Sequence, residues 1–169
     1  MTVLVQDVDV RQRMRLLLAA DALDLTPPQT LVQGVLSAGS LALLFGESNT
    51  GKSTLALDIG LAIATGNPWR GLRTHKGAVL HVAGEGLYGL AMRLRAYREH
   101  VPSVRGAPYG IVAGEVDLLA PGDVADLVAI IGDMASEVGE PVALVILDTL
   151  ARCAVIDEND GGQMRLLVG

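Results

Sequence analysis

Nine residues, Gly46 to Thr54, read GESNTGKST, and they constrain this chain more than any other stretch. They match the spacing G-x-x-x-x-G-K-S/T of a phosphate-binding loop. The chemistry explains the spacing. Gly46 and Gly51 allow backbone conformations and a close approach that side chains would block. The amides of Glu47, Ser48, Asn49 and Thr50 can then turn inward toward phosphate oxygens. Lys52 brings positive charge to the terminal phosphates, and Ser53 offers a hydroxyl to Mg2+, which keeps most of its other ligands as water and phosphate oxygen. The helix expected from Ser53 through Thr54 onward aims its positive end at the same anion. A glycine-rich turn without a ligand would spell these letters in about one such chain per hundred.

The flanking stretches supply the expected context. Leu41 to Phe45 is a short apolar run bounded by glycine, which predicts a buried strand leading into the loop. Ser53 to Thr65 is apolar almost all round, as in a helix packed against a sheet, and Gly66, Asn67 and Pro68 stop it. Ala78 to Ala83 and Val142 to Leu147 read as further buried strands, with Tyr109 to Val112 a third. Leu87, Leu90, Ala91 and Leu94 mark one helical face, with Arg93, Arg95 and Arg98 largely off it and expected in solvent. Asp123 is placed to cap a helix with apolar positions Val124, Leu127, Val128, Ile131 and Met134. Apolar positions at Val10, Met14, Leu17 and Leu18 predict an amphipathic helix over residues 8–23 that TPP at Thr26 to Pro28 ends. Strands and helices alternate, and the strands are apolar throughout. That combination predicts an α/β fold with a mainly parallel sheet flanked by helices.

A phosphate loop needs a second acid at a neighbouring strand end. Asp148 follows six apolar residues in VALVILD and fits that duty as a metal ligand. Hydrolysis also needs a group to polarise water. Glu85, in AGEG after the strand Ala78 to Ala83, reaches the same sheet edge and is the candidate catalytic base. The same stretch, Gly84 to Gly89, spells G-x-G-x-x-G, the fingerprint of a dinucleotide fold. No acid near Tyr109 is placed to hold a ribose, and Glu85 would oppose a pyrophosphate. Asp157 to Gly161 hints at a calcium loop but lacks ligands at its fifth and twelfth positions, Gly161 and Val168. His75, His81 and His100 have no metal-ligand spacing with Cys153. His81, in a strand, is expected to be packed or hydrogen-bonded, and Trp69 to pack. No guanine-reading N-K-x-D or T-K-x-D motif is present, which favours adenine.

Net charge is -6, which argues against a broad basic surface for duplex DNA or acidic membranes. One cysteine cannot form an internal disulfide, and no apolar stretch approaches the ~18 residues of a membrane span. A cytoplasmic protein with no membrane partner is expected.

Several stretches together resemble a known family. LLF running into GESNTGKST, then IATGNPWRG, GAVLHVAGEG, and LVILDTLAR followed by DEND and Met164, resemble the RecA-like P-loop ATPases, and among them the RepA-like hexameric replicative helicases and related phage ATPases. The likeness covers roughly residues 35–169, with the DTLAR to DEN portion its more specific part. It implies an N-terminal helical segment over 1–34 and a RecA-like core over 35–169 that stops short of a last strand and helix. It implies ATP and Mg2+ as cofactors, Gly46 to Thr54 as the loop that holds them, Asp148 as the metal-side acid and Glu85 as the catalytic glutamate. It also implies a ring, a hexamer when complete, acting on single-stranded DNA in replication or recombination. Arg93, Arg95, Arg98 and Arg152 are its candidates for subunit contact. Two other functions stay open: a nucleotide-binding regulatory or assembly module with little turnover, and an NAD(P)-dependent oxidoreductase using Gly84 to Gly89.

Overall fold

The computed structural model describes residues 18–84, 86–149 and 153. Its centre is a parallel three-stranded sheet of β3 (Ala78–Ala83), β4 (Tyr109–Ala113) and β5 (Val142–Asp148), in the order β4-β3-β5. Parallel neighbours need crossovers, and helices α3 (Leu87–His100) and α4 (Pro121–Val138) provide them. Helix α2 (Lys52–Thr65) precedes the sheet, and a hairpin of β1 (Thr30–Val32) and β2 (Leu36–Ser37) lies before it, straddling residue 35. A five-residue helix, α1 (Ala19–Leu23), is what is described of the amphipathic stretch.

The strand AVLHVA is buried at all six positions, because both faces of the sheet are covered. Its side chains alternate between the two. Val79 joins Ile59 and Ile63 of α2, Leu31 and Val32 of the hairpin, and Leu144 and Ile146 of β5. Ala78, Leu80 and Val82 face the other way with Val145 and Leu147, where Leu127, Ile131 and Met134 of α4 cover them. A third cluster joins Leu57 and Leu61 of α2 to Leu90 of α3 and Ala83. Ala83 and His81 therefore lie on the α2 side, as do Tyr109 and Asp148, and this sets the site.

Gly77 lets β3 begin beside β5. A Cβ there would stand 2.6 Å from Ala143 Cβ, an atom that cannot move without its backbone. Gly77→Ala is expected to destabilise the fold by about 1–3 kcal/mol, the range for overpacking. Adding Ala143→Gly should restore much of the loss in urea melts.

Four expectations need correction. Leu41 to Phe45 is not a strand and is not buried. Among the described residues it pairs with no neighbour; Ala42 packs against the core, while Leu41, Leu43 and Phe45 face outward, Phe45 being 84% exposed. Asp123 is not a helix cap. Helix α4 begins at Pro121, whose fixed φ suits the first turn, and the Asp123 carboxylate instead accepts from the Asp117 amide at 2.9 Å, bracing the loop before it. Val128 is 61% exposed and Val124 is exposed as well, so the buried stripe of α4 is narrower than its apolar letters. Leu87 likewise faces out, at the first turn of α3, where the sheet edge has ended. Arg152, Asp157 to Gly161 and Met164 lie outside the described residues.

Candidate nucleotide-binding site

The loop before α2 is built from unusual backbone. Gly46, Asn49 and Gly51 have φ of 155°, 62° and 87°, values that glycine and asparagine adopt more readily than other residues. Thr50 Oγ1 donates to Glu47 O at 2.8 Å and closes the turn. Lys52 Nζ folds back over it, donating to Gly46 O at 2.8 Å and Glu47 O at 2.9 Å. Helix α2 opens at Gly51 with no side-chain cap and no acid in its first turn. Its leading amides and positive end are left for an anion.

Ser53, in that first turn, donates to Asp148 Oδ1 at 3.0 Å, joining the loop to the end of β5 across 95 residues of chain. Both residues stand at the C-terminal edge of the sheet, where α/β proteins bind ligands. Burial by itself would raise the Asp148 pKa. The imidazole of His81, the hydrogen bond from Ser53 and the charge of Arg93 together outweigh it and hold the carboxyl below its ordinary value. The proton is thus bound more weakly in the folded chain than in the unfolded one. Ionised Asp148 therefore adds stability above pH 3.8, and this is lost as pH falls through the lower folded value. Melting temperature measured against pH should drop in that acid window, and Asp148→Asn should flatten the drop.

A cavity of about 470 Å³ is lined by Ser48, Lys52, Ser53, Arg93 and Asp148, among others. Arg93, expected on a solvated helix face, also lines this cavity. It is exposed, yet it borders the loop and its charge reaches Asp148. A signal was present: Gly86, Gly89, Leu90 and Arg93 follow helical spacing and line the cavity together. A second cavity of about 650 Å³ shares Gly51, Lys52 and Thr54 and adds Phe45, Thr50, Leu55, Asp58, Arg70 and Tyr97. Trp69 Nε1 donates to Asp58 Oδ2 at 2.8 Å, and the Arg70 guanidinium lies 5.4 Å from the Trp69 ring centroid, so this aromatic braces the turn after α2.

Glu85 lies outside the described residues, but its neighbours do not. The Gly84 amide donates to Asp148 O at 2.8 Å, and Gly86 lines the smaller cavity. Cys153 is buried, and burial, with the Asp148 charge adding to it, pushes its thiol up to about 11, so it is no nucleophile at neutral pH. Among the described residues there is no group of three or more His, Cys, Asp or Glu that could cage a metal. One hydroxyl and one ionised carboxylate, 3.0 Å apart beside an anion seat, fit Mg2+ instead, which takes few protein ligands beside phosphate. No helix of the described residues is long and apolar enough to cross a membrane.

A family model described as an AAA domain matches residues 9–169. Comparison with curated proteins returned no match, and neither did comparison with solved structures. With the match spanning almost the whole chain, the protein belongs to the AAA domain family, a family of P-loop ATPases.

Proposed function

We propose that the chain binds and hydrolyses Mg-ATP, and that it does so as a motor domain working on single-stranded DNA in replication or recombination. The observation that carries the ATPase reading is the Ser53–Asp148 contact at the mouth of an uncapped helix and a left-handed loop. In this reading the amides of residues 46–54 bind the triphosphate. Lys52 exchanges its hold on the Gly46 and Glu47 carbonyls for phosphate oxygens. Ser53 and Asp148 hold Mg2+, which when bound neutralises charge on the phosphates. Arg93 adds positive charge to the same cavity. Glu85 orients the attacking water from the loop between Gly84 and Gly86. The larger cavity, with Phe45, Leu55 and Tyr97 on its walls and Arg70 at its side, has room for the nucleoside. Assembly into a ring, with a hexamer as its full form, would supply the motor reading and rests on the sequence likeness.

Calorimetric titration with Mg-ATP, followed by phosphate release with and without single-stranded DNA, tests this. Binding with release that DNA accelerates supports the motor. Binding with release at background under both conditions points to a regulatory or assembly module. Binding of NADH with none of ATP overturns the reading.

A further inference from the structure

Three polar side chains stand in a line on the α2 side of the sheet, on three neighbouring strands: Tyr109 on β4, His81 on β3 and Asp148 on β5. His81 Nδ1 lies 2.6 Å from the Tyr109 hydroxyl, and Nε2 lies 3.6 Å from Asp148 Oδ2. His81 is fully buried, and its Nε2 has no hydrogen-bond partner among the described residues. Valine and leucine fill the buried positions beside it, Val79, Leu80 and Val82. Packing alone does not call for an imidazole here, and a buried nitrogen without a hydrogen-bond partner is costly.

In the neutral ring the partners fix the tautomer. Burial, with the charge of Asp148 adding to it, raises the Tyr109 pKa, so the phenol keeps its proton and can donate it. In the opposite arrangement Nδ1–H would donate to Tyr109, and a bare Nε2 lone pair would face an ionised carboxylate. That arrangement is repulsive. Donation from Tyr109 to Nδ1 leaves the proton on Nε2, aimed at Oδ2. A hydrogen bond of about 2.9 Å is then less than 1 Å away. The Tyr109 ring is itself held from above: a Cβ on Gly60 of α2 would stand 3.0 Å from Tyr109 Cε2, so the bare glycine lets the helix close onto the ring.

The two oxygens of Asp148 thus face different ways. Oδ1 accepts from Ser53 at 3.0 Å, and Oδ2 faces His81. We propose that Tyr109 and His81 form a buried relay that fixes the rotation of the Asp148 carboxylate, presenting Oδ1 to Ser53 and the nucleotide's metal. The terminal torsion of an aspartate is otherwise broad. Fixing it from behind leaves less freedom to lose on binding. His81 is a positioning residue: it touches neither nucleotide nor metal. What Oδ1 serves rests on the nucleotide reading; the relay is a property of the protein alone.

Long-range 1H–15N spectra of the ligand-free chain read the tautomer directly, with the His81 signals assigned by their loss in His81→Gln. The Nε2–H form is expected, and Tyr109→Phe, which keeps the ring and its packing, should mix the two forms. A His81 in the Nδ1–H form overturns the relay. Its service to the site is read from the ratio of ATP affinity in Mg2+ to that in EDTA. Tyr109→Phe and His81→Leu should lower that ratio by about 10-fold with the EDTA affinity unchanged, and His81→Gln, which keeps a donor near the Nε2 position, should retain most of it. An unchanged ratio in Tyr109→Phe also overturns the proposal. Should the unsubstituted chain bind no ATP, the nucleotide reading falls, while the tautomer still decides the relay.

Discussion

Lys52→Ala is expected to weaken Mg-ATP binding at least about 100-fold and to leave the fold intact. The ammonium is the one cation that the loop itself supplies, and it would meet phosphate oxygens as charge-assisted hydrogen bonds. Two such bonds at about 1.5–3 kcal/mol each exceed the 2.8 kcal/mol that a 100-fold change requires. Its contacts in the free protein are the Gly46 and Glu47 carbonyls, at a solvent-facing loop. Those carbonyls can turn to water when the side chain is cut, so the cost to stability is small. The two effects separate the readings. A lysine that merely ties a turn would lower the melting temperature and leave calorimetry unchanged. A lysine that seats triphosphate does the reverse. Unaltered ATP affinity in Lys52→Ala would remove the phosphate seat from this loop.

What could be read from the letters was local or one-dimensional. The loop chemistry depends on glycines and a lysine within nine residues, so its spacing is visible in the chain and its left-handed backbone follows. Strands β3 and β5 announce themselves because burial on both faces requires unbroken apolar runs, and Asp148 ends one of them. What failed depended on partners. A strand belongs to two segments, and Leu41 to Phe45 has none to pair with among the described residues. Val124 and Val128 have the letters of a core, but α4 turns Leu127, Ile131, Met134, Ala135 and Val138 onto the sheet instead. Arg93 is exposed, as its helix face suggested, but only the packing of α3 beside the loop makes it a cavity wall. Tyr109, His81 and Asp148 are separated by 28 and 67 residues, so only the β4-β3-β5 order brings them into line. A histidine in AVLHVA could be read as packed or bonded, but its partner could not be named.

Glu85→Gln should retain ATP and lose turnover, by about 100- to 10,000-fold, the range for removing a positioned general base. The position argues for this more than the letter does. Ala83 stands in register with Asp148 across β3 and β5, and the Gly84 amide donates to the Asp148 carbonyl. Residue 85 therefore follows directly from the strand end that sits beside the proposed metal acid. Gly86 opens α3 in a left-handed conformation with φ of 67° and lines the same cavity. The backbone on both sides of Glu85, at Gly84 and Gly86, is thus held at the site. Glutamine keeps the size and the hydrogen-bonding capacity but cannot take a proton from water. Binding contacts that are equal in the ground state and the transition state should survive, so calorimetry and single-turnover phosphate release will diverge. Loss of both together would instead give residue 85 a part in holding the nucleotide. Loss of neither would leave the attacking water without its base in this chain, and the catalytic reading would then have to pass from this edge of the sheet to a residue supplied by another subunit.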